Sequence, residues 1–124
     1  MEWTIDYLEK DGIVYIQTSG PADWDANKKM CKKCLALGRS KDTHRYLVDH
    51  RKLEHGLSTL QVDDVPRMLK QIGVTPEDKI AIVFDPASPM SGSFDFFRNT
   101  SFLESLLVKL FSSPDEAIAW LKSE

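Results

Sequence analysis

The chain of 124 residues suits one domain, because a globule of that size buries roughly two thirds of the surface its unfolded chain exposes and needs no covalent staple. Hydrophobic residues make up 42% and charged residues 28%, a balance that excludes a disordered or membrane-embedded chain. The net charge of -3, from 16 basic and 19 acidic residues spread along the chain, offers no basic field for a phosphate backbone, so no nucleic-acid partner is expected.

The opening MEWTIDYLEK is acidic and alternating rather than basic and apolar, unlike a signal peptide. No run of about 18 apolar residues follows, so a cytoplasmic domain without a membrane span is expected. WTIDYLEKDGIVYIQTSG reads as two strands joined at Asp11-Gly12, a dipeptide that supplies the positive φ angles of a tight hairpin. After Gly20-Pro21, Asp23 caps a predicted helix whose inward face carries Trp24, Cys31, Cys34 and Leu35, with Gly38 ending it. RYLVDH is a short buried strand, which Asp49 and His50 end, and Arg51 to Gly56 form a predicted loop.

Ser58 and Gln61 make a capping pair ahead of helical positions Val62, Val65, Leu69 and Ile72. Pro66 leaves two starts open: a helix from Ser58 is kinked by it, whereas one from Asp64 holds it harmlessly in the first turn. Thr75 to Asp78 is a turn, and KIAIVFD is a strand apolar on both faces, which helices should cover. DPASPMSGS reads as a loop, with SGS at 91 to 93 a flexible lid or connector, before the aromatic helix FDFFRNTSFL. LLVKLF is the last strand. SSPDEAIAWLKSE is a helix with Ser113 as cap, Pro114 at its first position and Glu116 reaching back. The order implies an α/β (α+β) fold: a mixed sheet of four or five strands opened by an antiparallel hairpin, then parallel βα units, with about four helices in a single domain over residues 1–124.

Motif chemistry is sparse. His50 and His55 in HRKLEH match neither H-E-x-x-H nor H-x-x-E-H, whose ligands stand one turn apart on a helix. In open α/β sheets, however, ligands bind beyond the carboxyl ends of the parallel strands. If the strands ending at Asp49 and Asp85 are neighbours, two carboxylates near His50 suit a divalent cation or a polar ligand. Cys31 and Cys34 form CKKC, but two turns inside a helix rather than at its N-terminus, so they read as small buried hydrophobes. His44, next to Arg45, reads as a solvated strand entrance. No phosphate loop, nucleophile elbow or cofactor motif is present in the sequence. Phe94 and Phe97 share a helical face that Phe96 does not, and with Met90 they would line an apolar pocket or a dimer seam.

Taken together, WTIDYLEKDGIVYIQTSGP, YLVDHRKLEHGLSTLQVDDVP, KIAIVFD and LFSSPDEAIAWL resemble the SpoIIAA-like proteins of bacteria, a branch of the STAS superfamily also linked to the CRAL-TRIO lipid-transfer fold. The resemblance implies a sheet of four or five strands with helices on it, often in a homodimer, and a role in binding or regulation rather than turnover. In the anti-sigma-factor antagonists of this group, a serine at the start of the helix after a central strand is phosphorylated. The nearest positions here are Ser58 and Thr59, although eight residues separate Asp49 from Ser58 where the antagonists have none.

The leading expectation is a non-enzymatic domain that binds a protein partner or itself, working through the Ser58 region and the 86 to 97 loop. A binder of a small apolar or lipid-like ligand beneath Met90, Phe94 and Phe97 is the alternative, and a metal-dependent enzyme using Asp49, His50, His55 and Asp85 is the second.

Overall fold

A computed structural model describes residues 1–123; Glu124, at the end of the last expected helix, lies outside the described residues. Five strands, β1 (Glu2–Leu8), β2 (Ile13–Pro21), β3 (Arg45–His55), β4 (Lys79–Val83) and β5 (Leu107–Phe111), form one sheet in the order β1-β2-β3-β4-β5. The first pair is antiparallel and the others are parallel. Helices α1 (Trp24–Ser40), α2 (Thr59–Ile72) and α3 (Ser91–Leu103) lie in the crossovers, and α4 (Pro114–Lys122) follows the last strand. The fold is therefore the α/β class that the element order implied, with five strands and four helices.

Because every parallel crossover steps the same way along the sheet, a shared right-handed sense stacks α1, α2 and α3 on one face. Strand alternation does the rest. Val14, Tyr46, Ile80 and Val108 are register partners across the sheet, as are Ile16, Val48, Ile82 and Leu110, and both rows face those three helices. The intervening residues Ile13, Leu47, Ala81 and Val83 face α4, where Ala117 and Leu121 complete a second, smaller core. Each fully buried aliphatic side chain contributes about 1.5–3 kcal/mol to these layers. Among the described residues no helix is long and apolar enough to cross a membrane.

Several local expectations are corrected. The hairpin is closed by residues 9–12, and Gly12 alone takes a positive φ, of 65°. Gly38 lies inside α1 rather than ending it: the Tyr46 phenol packs onto its bare Cα, leaving no room for a side chain. Of the two starts left open for α2 the structure takes the earlier: the helix begins at Thr59 on the reciprocal Ser58–Gln61 cap, so Pro66 is interior and the Val62 carbonyl loses its usual backbone donor. SGS is not a lid, because Ser91 to Ser93 form the first turn of α3. Ser113 stands at the cap position of α4 with Pro114 after it, but its side chain makes no capping hydrogen bond.

The predicted Arg51 to Gly56 loop is also overturned, because β3 continues to His55 along the end of β2. Gln17 pairs with Asp49, yet Ser19 pairs with Lys52, so β3 carries one extra residue around His50 and Arg51. Asp49 supports this bulge by accepting the Arg51 backbone N–H at 3.0 Å.

Candidate functional site

The bulge decides which side chains of β3 face the helices. Tyr46, Val48 and His50 alternate onto that face; the extra residue then shifts the phase, so that Leu53 follows His50 at a spacing of three. Between this row and α1, α2 and α3 lies a cavity of about 150 Å³. Its lining includes Val48, Leu53, Leu57, Val62, Met90 and Phe97. No lining side chain is charged, and the polar ones are few, chiefly His50, Asn27 and Ser93. A predominantly apolar cavity of this size offers water few partners, and an engineered cavity of comparable volume in another protein takes up benzene.

Each wall has a local origin. Asp23 caps α1 by accepting the Ala26 N–H at 2.9 Å, which fixes the helix that presents Met30, Cys31, Cys34 and Leu35. At Gly56 the chain leaves β3 beside Met90, whose side chain would lie at an ordinary contact distance of 3.7 Å from an added Cβ. On α3, Phe94 sits between Phe84 and His50, with ring centroids 4.9 and 5.4 Å away. Phe94 and Phe97 thus turn inward together, while Phe96 faces solvent.

His50 is the polar feature of this wall. Its Nδ1 lies 2.6 Å from the Thr18 hydroxyl, on a residue only 2% exposed, and its ring is stacked on Phe94. Burial holds its pKa down to about 4 against the pull of neighbouring Asp49, so the ring is neutral at pH 7. Burial also pushes the thiols of Cys31 and Cys34 up to about 12. Both are free thiols on the helical side, placed as the small hydrophobes that their spacing suggested.

The carboxylates do not gather around His50. Asp49 points to the opposite face of the sheet, where Arg51 Nη2 donates to it at 2.7 Å and Tyr15 Oη at 3.4 Å. Burial pushes the Asp49 carboxyl up, but the Arg51 donors outweigh that and leave it below its usual value. Although β3 and β4 are indeed neighbours, Asp85 is exposed beyond the strand and caps its own turn through the Ala87 N–H at 2.9 Å. His55 is exposed at the far end of β3. Among the described residues no group of three or more His, Cys, Asp or Glu side chains is gathered closely enough to hold a metal ion.

Ser58 and Thr59 are exposed at the start of α2 and do not line the cavity. Met90, Phe94, Phe97 and His50 do, so of the candidate binding residues these four converge, with Cys31 and Cys34 on the same wall. Leu53, Leu57 and Asn27 were missed. Leu53 was hidden by the bulge, Leu57 by a stretch without periodicity, and Asn27 by its polarity on an otherwise amphipathic helix.

His44 is not simply solvated. Its Nδ1 lies 2.7 Å from Asp78, which also takes two Arg39 donors at 2.9 Å each and the Thr75 N–H at 2.8 Å. This cluster ties the end of α1 to the turn before β4, at the sheet end away from His50.

Comparison of the sequence with protein-family models returns no match, and comparison with curated proteins returns none either.

Proposed function

We propose that this protein is a non-enzymatic binding domain for a small, predominantly apolar molecule held between the sheet and α1 to α3. The observation that carries the reading is the predominantly apolar cavity of about 150 Å³ at His50, Phe94 and Phe97. Ordinary cores are packed to the density of organic crystals, and a void of this size lacks the contacts that would otherwise stabilise its walls. A ligand of benzene-like bulk restores those contacts without any charge being buried. The likeness to SpoIIAA-like proteins, with their non-catalytic roles and their link to a lipid-transfer fold, is compatible with this reading and belongs to the same proposal.

Toluene is a suitable probe. Methyl-resolved NMR should show shifts confined to Val48, Leu53, Val62 and their neighbours, saturating with concentration. Cys31→Leu, which adds carbon atoms to the cavity wall, should weaken the binding at least about tenfold and raise Tm. The absence of saturable shifts in the unsubstituted protein would end the proposal.

A second reading, association with a protein partner or a second copy of the chain, is favoured by a different observation. Phe102 and Leu103 are each 79% exposed and Leu107 is 44% exposed, all where α3 turns into the edge strand β5. Exposed apolar groups beside an open sheet edge are suited to self-association. A phosphorylated Ser58 would add charge at the α2 N-terminus, where it is electrostatically tolerated, and it belongs with this second reading.

A further inference from the structure

The polar groups of the cavity are gathered at one of its ends. Asn27 lies early in α1, and the Ala22 N–H ties the approach to this helix to the end of β3 by donating to the His55 carbonyl at 2.8 Å. Ser93 lies in the first turn of α3, where its hydroxyl would stand 3.9 Å from a Cβ added at Gly56, and the next residue, Phe94, stacks on His50. All three therefore sit towards the carboxyl ends of β2 and β3, the edge at which open α/β sheets hold their ligands. The opposite end is lined by Leu35, Tyr46, Leu69, Val74 and Ile80. The Tyr46 hydroxyl is directed away, onto Gly38 and to within 3.5 Å of Arg39 Nη1. Exposure follows the same gradient: Asn27, Leu53, Leu57, Met90 and Ser93 are half-buried and Gly56 is exposed, whereas Cys34, Leu35, Leu69 and Ile80 are buried. The mouth is thus the polar end. From Asn27 to Leu35 α1 rises about 12 Å, so a cavity of about 150 Å³ lined by both residues is long and narrow.

We infer that the cavity takes an unbranched neutral amphiphile tail first, with an alkyl chain of about six carbons along Cys31 and Cys34 and a hydroxyl head at Asn27, His50 and Ser93. This rests on the pocket reading above and adds the class and the orientation of the occupant. A hydroxyl suits these partners because it both donates and accepts, as do the Asn27 amide and the Ser93 hydroxyl. It also suits neutral His50 in either tautomer, since Thr18 engages Nδ1 at 2.6 Å and the other ring nitrogen meets a hydroxyl as donor or as acceptor. A carboxylate or an ammonium finds no side chain of opposite charge on the lining. In the reverse orientation the head would lose its water at the Leu35 end without a replacement bond.

The test uses 1-hexanol, hexane and hexanoate. With the unsubstituted protein, intermolecular NOEs should join the terminal methyl of bound 1-hexanol to Leu35, Val65 and Leu69, and its carbinol methylene to Ser93 and the His50 ring. The reverse pattern, or both ends of the probe meeting both sets of residues, overturns the orientation. 1-Hexanol should bind at least about tenfold tighter than hexanoate, which keeps its charge without a partner. Hexanoate binding as tightly overturns the neutral head. Asn27→Ala combined with Ser93→Ala should weaken 1-hexanol by about tenfold, the worth of two hydrogen bonds at a partly wet mouth, and change hexane by less than about twofold. Equal weakening of both probes overturns the head contacts. Both positions are half-buried on helices, where alanine is the most favourable residue, and the NOE measurement needs no variant. Hexane bound without an oriented 1-hexanol removes the amphiphile and leaves the pocket standing. Failure of hexane, 1-hexanol and toluene alike overturns the pocket itself.

Discussion

Asp78 is 1% exposed, the most deeply buried acid among the described residues, and its neighbours account for its state. Burial pushes its pKa up, yet the Arg39 guanidinium, the Thr75 N–H and His44 together pull it down to about 2. A carboxylate with a depressed folded-state pKa stabilises the protein above its unfolded value of 3.8, and that contribution is lost as pH falls towards 2. The shift corresponds to about 2 kcal/mol. His50 acts in a separate, higher window. Its folded pKa of about 4 lies below the ordinary 6.5, so the unfolded chain takes up the proton first and stability falls as pH drops from 6.5 to 4. Denaturant titrations between pH 7 and 2 should show both declines, and His50→Phe should remove the upper one only. Asp78→Ala should cost about 3 kcal/mol at pH 7, because Arg39 and the Thr75 amide lose their acceptor together. A loss below about 1 kcal/mol would mean that water replaces Asp78 at little cost.

At the scale of the element, two helices with similar start signals behave differently. Ser58 accepts the Gln61 N–H at 3.2 Å and Gln61 returns the bond to the Ser58 amide at 3.0 Å, whereas Ser113 makes no such contact. Ser58→Ala should therefore lower stability by about 1 kcal/mol, and Ser113→Ala by only a few tenths. Equal losses in thermal melts would contradict the caps described here. Gly38 provides a test of opposite sign. Helix propensity alone favours alanine over an interior glycine by about 0.5–1 kcal/mol. An alanine Cβ would instead run into the Tyr46 phenol, so Gly38→Ala should destabilise, by about 1–3 kcal/mol. A stabilised variant would show that Tyr46 moves aside freely.

For the whole molecule, the two faces of the sheet are covered unequally. Three helices lie over one face and line the cavity with it; α4, with nine residues, covers part of the other. The exposed Phe102, Leu103 and Leu107 lie at neither core but beside the β5 edge. Phe102→Ser combined with Leu103→Ser should change folding stability by less than about 1 kcal/mol, since both side chains already stand in water. If the protein self-associates through this edge, the same double substitution should shift its sedimentation towards monomer. An assembly that survives the double substitution must use another surface.

Much of the architecture was legible because it is written in short-range chemistry. Asp23 and Ser58 as caps, Thr75 to Asp78 as a turn and the apolar run of β4 depend on residues a few positions apart, and the order of elements then left few topologies open. The alternation Tyr46, Val48, His50 likewise contained the fact that His50 faces the helices. The misreadings share a different cause. Gly38 resembles a helix end until Tyr46 arrives from β3, and Arg51 to Gly56 resemble a loop until β2 supplies a pairing partner. Asp49 and His50 look like joint ligands until strand alternation sends them to opposite faces.

The sequence by itself determined the class, the strand and helix order and the inward stripe of Phe94 and Phe97, since caps, turns and hydrophobic periodicity act locally. The tertiary structure alone decided the bulge at His50, the partners of Asp49 and Asp78 and the cavity. Each of these depends on how distant segments pack, and an unfilled volume between them is a property of no single segment.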